Sequence, residues 1–265
     1  MTLIALLQNN LYLLICLMFI IGACVGSFLN VVIYRLPIML EASESSKPLN
    51  LMMPHSHCPH CKQVVAWQHN IPLLSYWLLK RQCAHCKKPV NTRYFWVELI
   101  TALLSAGLAF YYGYTFALLA VLFFTWLLIP MIVIDWKTQL LPDELTFSLL
   151  WLGLLVNLQG LFVPLTDAVI GAIVGYLVLW LIMHVYRLIT GKWGMGYGDF
   201  KLFAALGAWL GWQSLSMILA IAALGGIVVG IIWLKATRQK MNAPIAFGPF
   251  LAIAGWMVMI CSTLH

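Results

Sequence analysis

The sequence predicts an all-α polytopic membrane protein of about eight transmembrane helices, with a small cytoplasmic zinc-binding domain between helices 1 and 2. Three observations predict it. Of 265 residues, 63% are hydrophobic and only 9% charged, against roughly 25% charged in soluble domains. The apolar residues form long uncharged segments, 36 residues between Glu98 and Asp135 and 33 from Leu202 to Leu234. One stretch alone has soluble character, and it carries two C-x2-C pairs. The chain divides accordingly into a first transmembrane helix (1–35), a four-cysteine zinc domain (36–93) and a seven-helix membrane domain (94–265).

The first span is expected at 11–33, close to the ~20 residues that cross a bilayer. Gly22, Ala23, Gly26 and Ser27 give it a small-residue face suited to close helix contact. Asn30, near its end, either ties helices together or serves a cofactor or substrate pocket. Arg35-Leu36-Pro37 is expected to end the span. No basic residue precedes the apolar run, so a cleaved signal is not expected. In the soluble stretch, 41–47 is polar, and 70–77 is apolar but too short to span. It is expected to pack on the metal module or lie on the membrane surface.

The 36 uncharged residues before Asp135 would make a helix ~54 Å long at 1.5 Å per residue, so two helices are required. Tyr111-Tyr-Gly-Tyr114 is the natural turn, giving helices near 94–111 and 115–134. Further spans are expected at 145–159 and 167–188, the latter carrying the small-residue pair Gly171 and Gly175. The 33-residue segment is divided near Gly211-Trp-Gln-Ser214 into a short helix (199–212) and a full one (214–234). A basic loop at 235–240 and a last helix at 243–262 complete the eight.

The charges set the expected topology. With 36–93 inside, the inside loops are 36–93, 135–144, 188–198 and 235–241, and all fifteen Lys and Arg residues fall in or beside them. That is the positive-inside bias. Both termini are then outside, and Asp135 and Asp199 share the cytoplasmic face. The net charge of +7 is accounted for by topology, and no nucleic-acid partner is expected; the membrane lipid is the partner that composition demands.

Cys58, Cys61, Cys83 and Cys86 form C-x2-C-x21-C-x2-C. Four thiolates in two short pairs suit tetrahedral, structural zinc and leave no open coordination position for catalysis. In a cytoplasmic loop, disulfides are disfavoured. The alternatives are reduced thiols without metal, or replacement of one ligand by His55, His57 or His69. Cys16, Cys24 and Cys261 stand alone in apolar segments, as small hydrophobes.

Asp135 and Asp199 each stand at the edge of an uncharged segment, Asp199 within the glycine-rich run Gly194-Met-Gly-Tyr-Gly-Asp199. Two carboxylates brought close cannot both ionise cheaply, so they share a proton. One can then activate water while the other polarises a carbonyl. The glycines allow close backbone approach by a neighbour or an extended peptide. Each aspartate is also readable as an interfacial helix cap, the commoner role for such a residue, and the residues alone leave both readings open. Asp143, after Pro142, reads as the cap of the fourth helix, with Glu144 in its first turn. The sequence has no HExxH, no GxxxxGK and no recognisable Ser or Cys nucleophile.

Three blocks carry a family resemblance: GSFLNVVIYRLP at 26–37; the cysteine pairs with NIPLLSY between them and RYFWVE at 93–98; and IDWKTQLLPDELT at 134–146 with GMGYGDFKLFAALGAWLGW at 194–212. In these blocks and their order the chain resembles the type IV prepilin peptidases, GxGD-type membrane aspartic proteases that are also N-methyltransferases. The resemblance implies that Asp135 and Asp199 are the catalytic pair, making 94–265 the protease domain, and that the four cysteines hold zinc. It further implies a bacterial inner-membrane enzyme that cuts type IV prepilins and type II secretion pseudopilins after a glycine, on the cytoplasmic side. The new N-terminal residue is then methylated from S-adenosylmethionine, a role associated with the N-terminal part, with no individual binding residue assignable. Two departures stand out. Lys80-Arg81-Gln82 precedes Cys83 where a glycine is often found, and Phe95 replaces the usual proline.

A protease without methyltransferase activity is the nearest alternative. A transporter would scatter polar groups through several midspans, and here the acidic residues gather at one interface. A non-enzymatic assembly factor would tolerate Asn at both aspartates.

Overall fold

The computed structural model describes residues 3–41, 50–53, 57–58, 60–237 and 246–262. Most of the 41–47 segment, His55 and the 238–240 part of the basic loop lie outside the described residues. Ten α-helices occur among them: α1 (Leu3–Asn9), α2 (Leu11–Glu41), α3 (Leu74–Leu78), α4 (Thr92–Tyr112), α5 (Phe116–Thr138), α6 (Asp143–Val156), α7 (Leu165–Thr190), α8 (Tyr197–Leu210), α9 (Leu215–Thr237) and α10 (Gly248–Ser262). The chain is thus an all-α, multi-spanning membrane protein.

The expected count of eight spans is corrected. Five stretches among the described residues are long and apolar enough to cross a membrane: α2, α4, α5, α7 and Trp212–Ile232. The reason is length. Helices α6, α8 and α10 stand where three further spans were expected, but have only 14, 14 and 15 residues. At 1.5 Å per residue they reach ~21–23 Å, short of a ~30 Å hydrocarbon core. A second correction concerns α2, which runs through Pro37 to Glu41 instead of stopping there. Arg35 Nη1 donates to the carbonyls of Asn50 (2.9 Å) and Leu51 (3.3 Å), tying the extended helix to the following loop.

The chain forms two compact units, Met1–Pro130 and Met131–His265, dividing within α5. The cysteine-bearing stretch belongs to the first unit together with α2 and α4, so no discrete zinc domain is delineated. In this unit the small-residue face of α2 lies against α4. An ideal Cβ on Gly22 would fall 2.6 Å from Ser105 Oγ, and one on Gly26 would fall 2.7 Å from the Glu98 Cα. The apolar 70–77 stretch folds partly into α3 and packs on the start of α4. Tyr76 stacks on Phe95 at 5.0 Å, and the Leu73 N–H donates to Glu98 Oε2 at 2.8 Å.

In the second unit α8 is the central helix. Every residue from Asp199 to Leu210 except Lys201 is buried. Helix α7 approaches it backbone to backbone, because a Cβ on Gly171 or on Gly207 would run into the carbonyl of the other. Gly175 is held as tightly, 2.8 Å from the Phe203 carbonyl by the same test. The small-residue pair on α7 therefore marks the α8 contact. At the far end, Trp209 Nε1 donates to the Leu149 carbonyl at 2.8 Å, and Asn157 Nδ2 donates to the Ala208 carbonyl at 2.9 Å. Gly207→Val is expected to force α7 and α8 apart and lower the thermal unfolding midpoint in detergent by ~2–12 °C, the scale of a 1–3 kcal/mol overpacking penalty. An unchanged midpoint would show that this approach contributes nothing to stability.

Candidate active site

The second unit brings together the two aspartates singled out in the sequence. Asp135 lies in the last turn of α5 and Asp199 in the first turn of α8, and they are 4% and 8% exposed. Leu141, in the loop between α5 and α6, links them. A Cβ on Gly198 would fall 2.6 Å from Leu141 Cβ. One on Gly248 would fall 2.9 Å from Leu141 Cδ1 and 2.5 Å from Asp135 Oδ2. Glycine is required at both positions because any side chain would displace Leu141 or the carboxylate. A Cβ on Gly196, by contrast, would meet nothing nearer than the Gly198 backbone N at 4.0 Å, an ordinary van der Waals contact.

Backbone amides face both carboxylates, Gly248 N–H toward Asp135 and Gly196 N–H toward Asp199, and the charge on Asp135 acts on Asp199. Gly248 opens α10 and Gly196 caps α8, so each aspartate lies at the positive end of a helix. One oxygen of each, Asp135 Oδ2 and Asp199 Oδ1, is nevertheless buried without an aligned hydrogen-bond partner among the described residues. A buried acceptor left open is costly, and a proton, a water or a substrate N–H would satisfy it.

Gly248 escaped sequence reasoning; its only signal is the Gly-Pro pair opening an uncharged segment. Asp143 is corrected from a cap to an ion-pair partner. The residue at the helix cap is Pro142, and Asp143 accepts from Lys201 Nζ at 2.6 and 2.8 Å. Lys201 is two residues beyond Asp199, so this pair links α6 to the helix that carries the second carboxylate.

In the first unit the four cysteines meet. All four Sγ atoms lie within 4.8 Å of one another, with Cys58–Cys86 at 3.8 Å and Cys61–Cys83 at 4.0 Å. Tetrahedral zinc with Zn–S of ~2.3 Å requires S···S separations of ~3.8 Å, so the cluster fits the ion. The two knuckles repeat one geometry 25 residues apart. Cys58 N–H donates to the Gln63 carbonyl and Cys83 N–H to the Lys88 carbonyl, both at 2.9 Å, and Lys62 and Lys87 each turn with φ 57°. The N–H groups of Cys86 and His85 pull the Cys83 thiol down to about 6, while Cys61, despite the Gln63 N–H, is pushed up to about 11 by burial and the neighbouring thiols. His57 is exposed and outside the sulfur cluster.

A cavity of about 560 Å³ lies in the same unit, between α2, the start of α4, α3 and the knuckles. Asn30, Arg93 and Glu98 are on its wall. Asn30 Nδ2 donates to the Tyr94 carbonyl at 3.0 Å, so the amide does tie α2 to α4, yet its Oδ1 is buried with no partner among the described residues.

The described residues thus define a multi-spanning helical membrane protein with two buried carboxylates at helix ends within one unit. The sequence matches the bacterial peptidase A24 N-terminal domain over residues 20–112 and the type IV leader peptidase family over residues 121–231. It is 49% identical over 259 residues to a prepilin leader peptidase/N-methyltransferase of Aeromonas hydrophila, covering 92% of this chain and 89% of that one. A protein of the same description from Stutzerimonas stutzeri is 46% identical (96% and 92% covered), and one from Pectobacterium carotovorum subsp. carotovorum is 50% identical (91% of each). The chain belongs to the prepilin leader peptidase/N-methyltransferase family. No solved structure matches it.

Proposed function

We propose that the chain removes the leader peptide of type IV prepilins and type II secretion pseudopilins, cutting after a glycine on the cytoplasmic side of the bacterial inner membrane, and then N-methylates the new N-terminal residue. The observation that carries the reading is the approach of Asp135 and Asp199 around Leu141, each with one buried oxygen open to a ligand. In the proposed reaction the ionised carboxylate takes a proton from water while the protonated one donates a hydrogen bond to the scissile carbonyl. The water oxygen adds to the carbonyl carbon, the C–N bond breaks, and a proton goes to the leaving amine. The absence of a tight contact at Gly196 supports approach of an extended peptide along the glycine-rich run.

The distribution of basic residues supports an orientation with the 36–93 segment and both aspartates inside and both termini outside. This orientation requires α6, α8 and α10 to lie within the membrane bundle although each is too short to span it, and the burial of α8 supports that placement. Cys58, Cys61, Cys83 and Cys86 hold zinc, which joins the two knuckles and has no open position for substrate. S-adenosylmethionine, when bound, supplies the methyl group for the amine that cleavage exposes.

Purified protein in detergent, given a prepilin and S-adenosylmethionine, is expected to release a pilin beginning immediately after the leader glycine and heavier by one methyl group, 14 Da. A pilin cut but never methylated would leave the protease-only alternative. No cutting by folded, zinc-loaded protein would defeat the peptidase reading.

A further inference from the structure

We propose that the cavity walled by Asn30, Arg93 and Glu98 binds S-adenosylmethionine, with the Glu98 carboxylate facing the sulfonium; the proposal rests on the methyl-transfer reading above. Its volume, about 560 Å³, lies within the ~300–1,000 Å³ of small-molecule sites. The polar groups on the wall are held in place but incompletely satisfied. Glu98 is half-buried and accepts from the Leu73 N–H at 2.8 Å, with the Ser27 hydroxyl also donating to it. It has no cationic partner among the described residues. A carboxylate fixed by neutral donors and lacking a counter-ion attracts a cation. Asn30 is 3% exposed, and its Oδ1 is open to a donor. Arg93 Nε is likewise buried, with no hydrogen-bond partner among the described residues.

These three groups match three of the polar parts of one ligand. The sulfonium takes the Glu98 carboxylate, the methionyl carboxylate takes the Arg93 guanidinium, and a donor on the nucleoside takes Asn30 Oδ1. The stacked Tyr76 and Phe95 rings give the adenine a flat apolar wall. The donor is therefore expected in the first unit, while the carboxylate pair is in the second.

Equilibrium dialysis of the full-length, zinc-loaded protein against labelled S-adenosylmethionine tests this, with S-adenosylhomocysteine, which lacks the sulfonium charge, as the comparison. The wild type is expected to bind one molecule per chain and to prefer the charged ligand. Glu98→Gln should weaken S-adenosylmethionine at least tenfold and S-adenosylhomocysteine less than threefold, whereas Glu98→Asp should retain the preference. Asn30→Leu should weaken both alike. Zinc content and elution volume report folding, and the Asn30 and Asp variants keep the test decisive if Glu98→Gln does not fold. Ultraviolet crosslinking should map the ligand to peptides within 57–98. Wild-type affinities in all variants, or a crosslink confined to the second unit, would overturn the site alone. A wild type that cleaves prepilin but binds no S-adenosylmethionine would overturn the methyl-transfer reading itself.

Discussion

Asp199→Asn is expected to slow leader cleavage by at least ~1,000-fold, equivalent to ~4 kcal/mol of lost transition-state stabilisation, and Asp135→Asn by a similar factor. Asparagine keeps the size of the side chain, and the burial of each carboxylate, 4% exposed at Asp135 and 8% at Asp199, leaves no solvent group to take over its proton. The double variant should be little worse than either single one, because residues that act as a unit are not additive. A time course of prepilin conversion measures this. Cleavage within tenfold of wild type in either single variant would remove that aspartate from the mechanism and restore its reading as a helix cap.

The second large effect is expected on removing the metal. Structural zinc in small cysteine modules contributes an apparent ~10–16 kcal/mol of binding free energy, most of it coupled to folding. Among the described residues the knuckles have two isolated bridges, His57–Val64 and Gln82–Pro89, and no extended sheet. Chelation, or Cys58→Ser, should therefore open 57–90 to limited proteolysis, with cutting there at least tenfold faster than in the zinc-loaded protein. Stoichiometry should fall from one zinc per chain toward zero. Zinc that survives all four cysteine substitutions and is lost on changing His57 would overturn the four-thiolate assignment.

Much of the fold was legible because its signals are local. Uncharged runs located the helices within a few residues, and the turn near 111–114 separates α4 from α5 as expected. The knuckles were legible because a C-x2-C turn needs only its own neighbours. What escaped depends on distant partners. Asp143 after a proline has every local mark of a cap, but its partner Lys201 lies 58 positions away. Pro37 marks a helix end by local rules, yet α2 continues, with Arg35 anchoring the loop beyond. Helices α6 and α10 were expected as full spans because hydropathy reports what a segment prefers to touch and not how far it reaches; α8 was expected to be short, and it meets its preference by touching protein. The two aspartates were legible by motif, but the side chain between them was not, since nothing around Leu141 marks it as a shared neighbour.

Leu141 touches the space reserved at both Gly198 and Gly248, and the latter also confines Asp135. Three positions from three separate segments thus share one small volume, and none can drift alone. A larger residue at either glycine needs a smaller one at 141, and a smaller residue at 141 opens a void that both segments border. In lineages of this chain, substitutions here should arrive together or in compensating order, so that the separation of the carboxylates is inherited as a property of the trio.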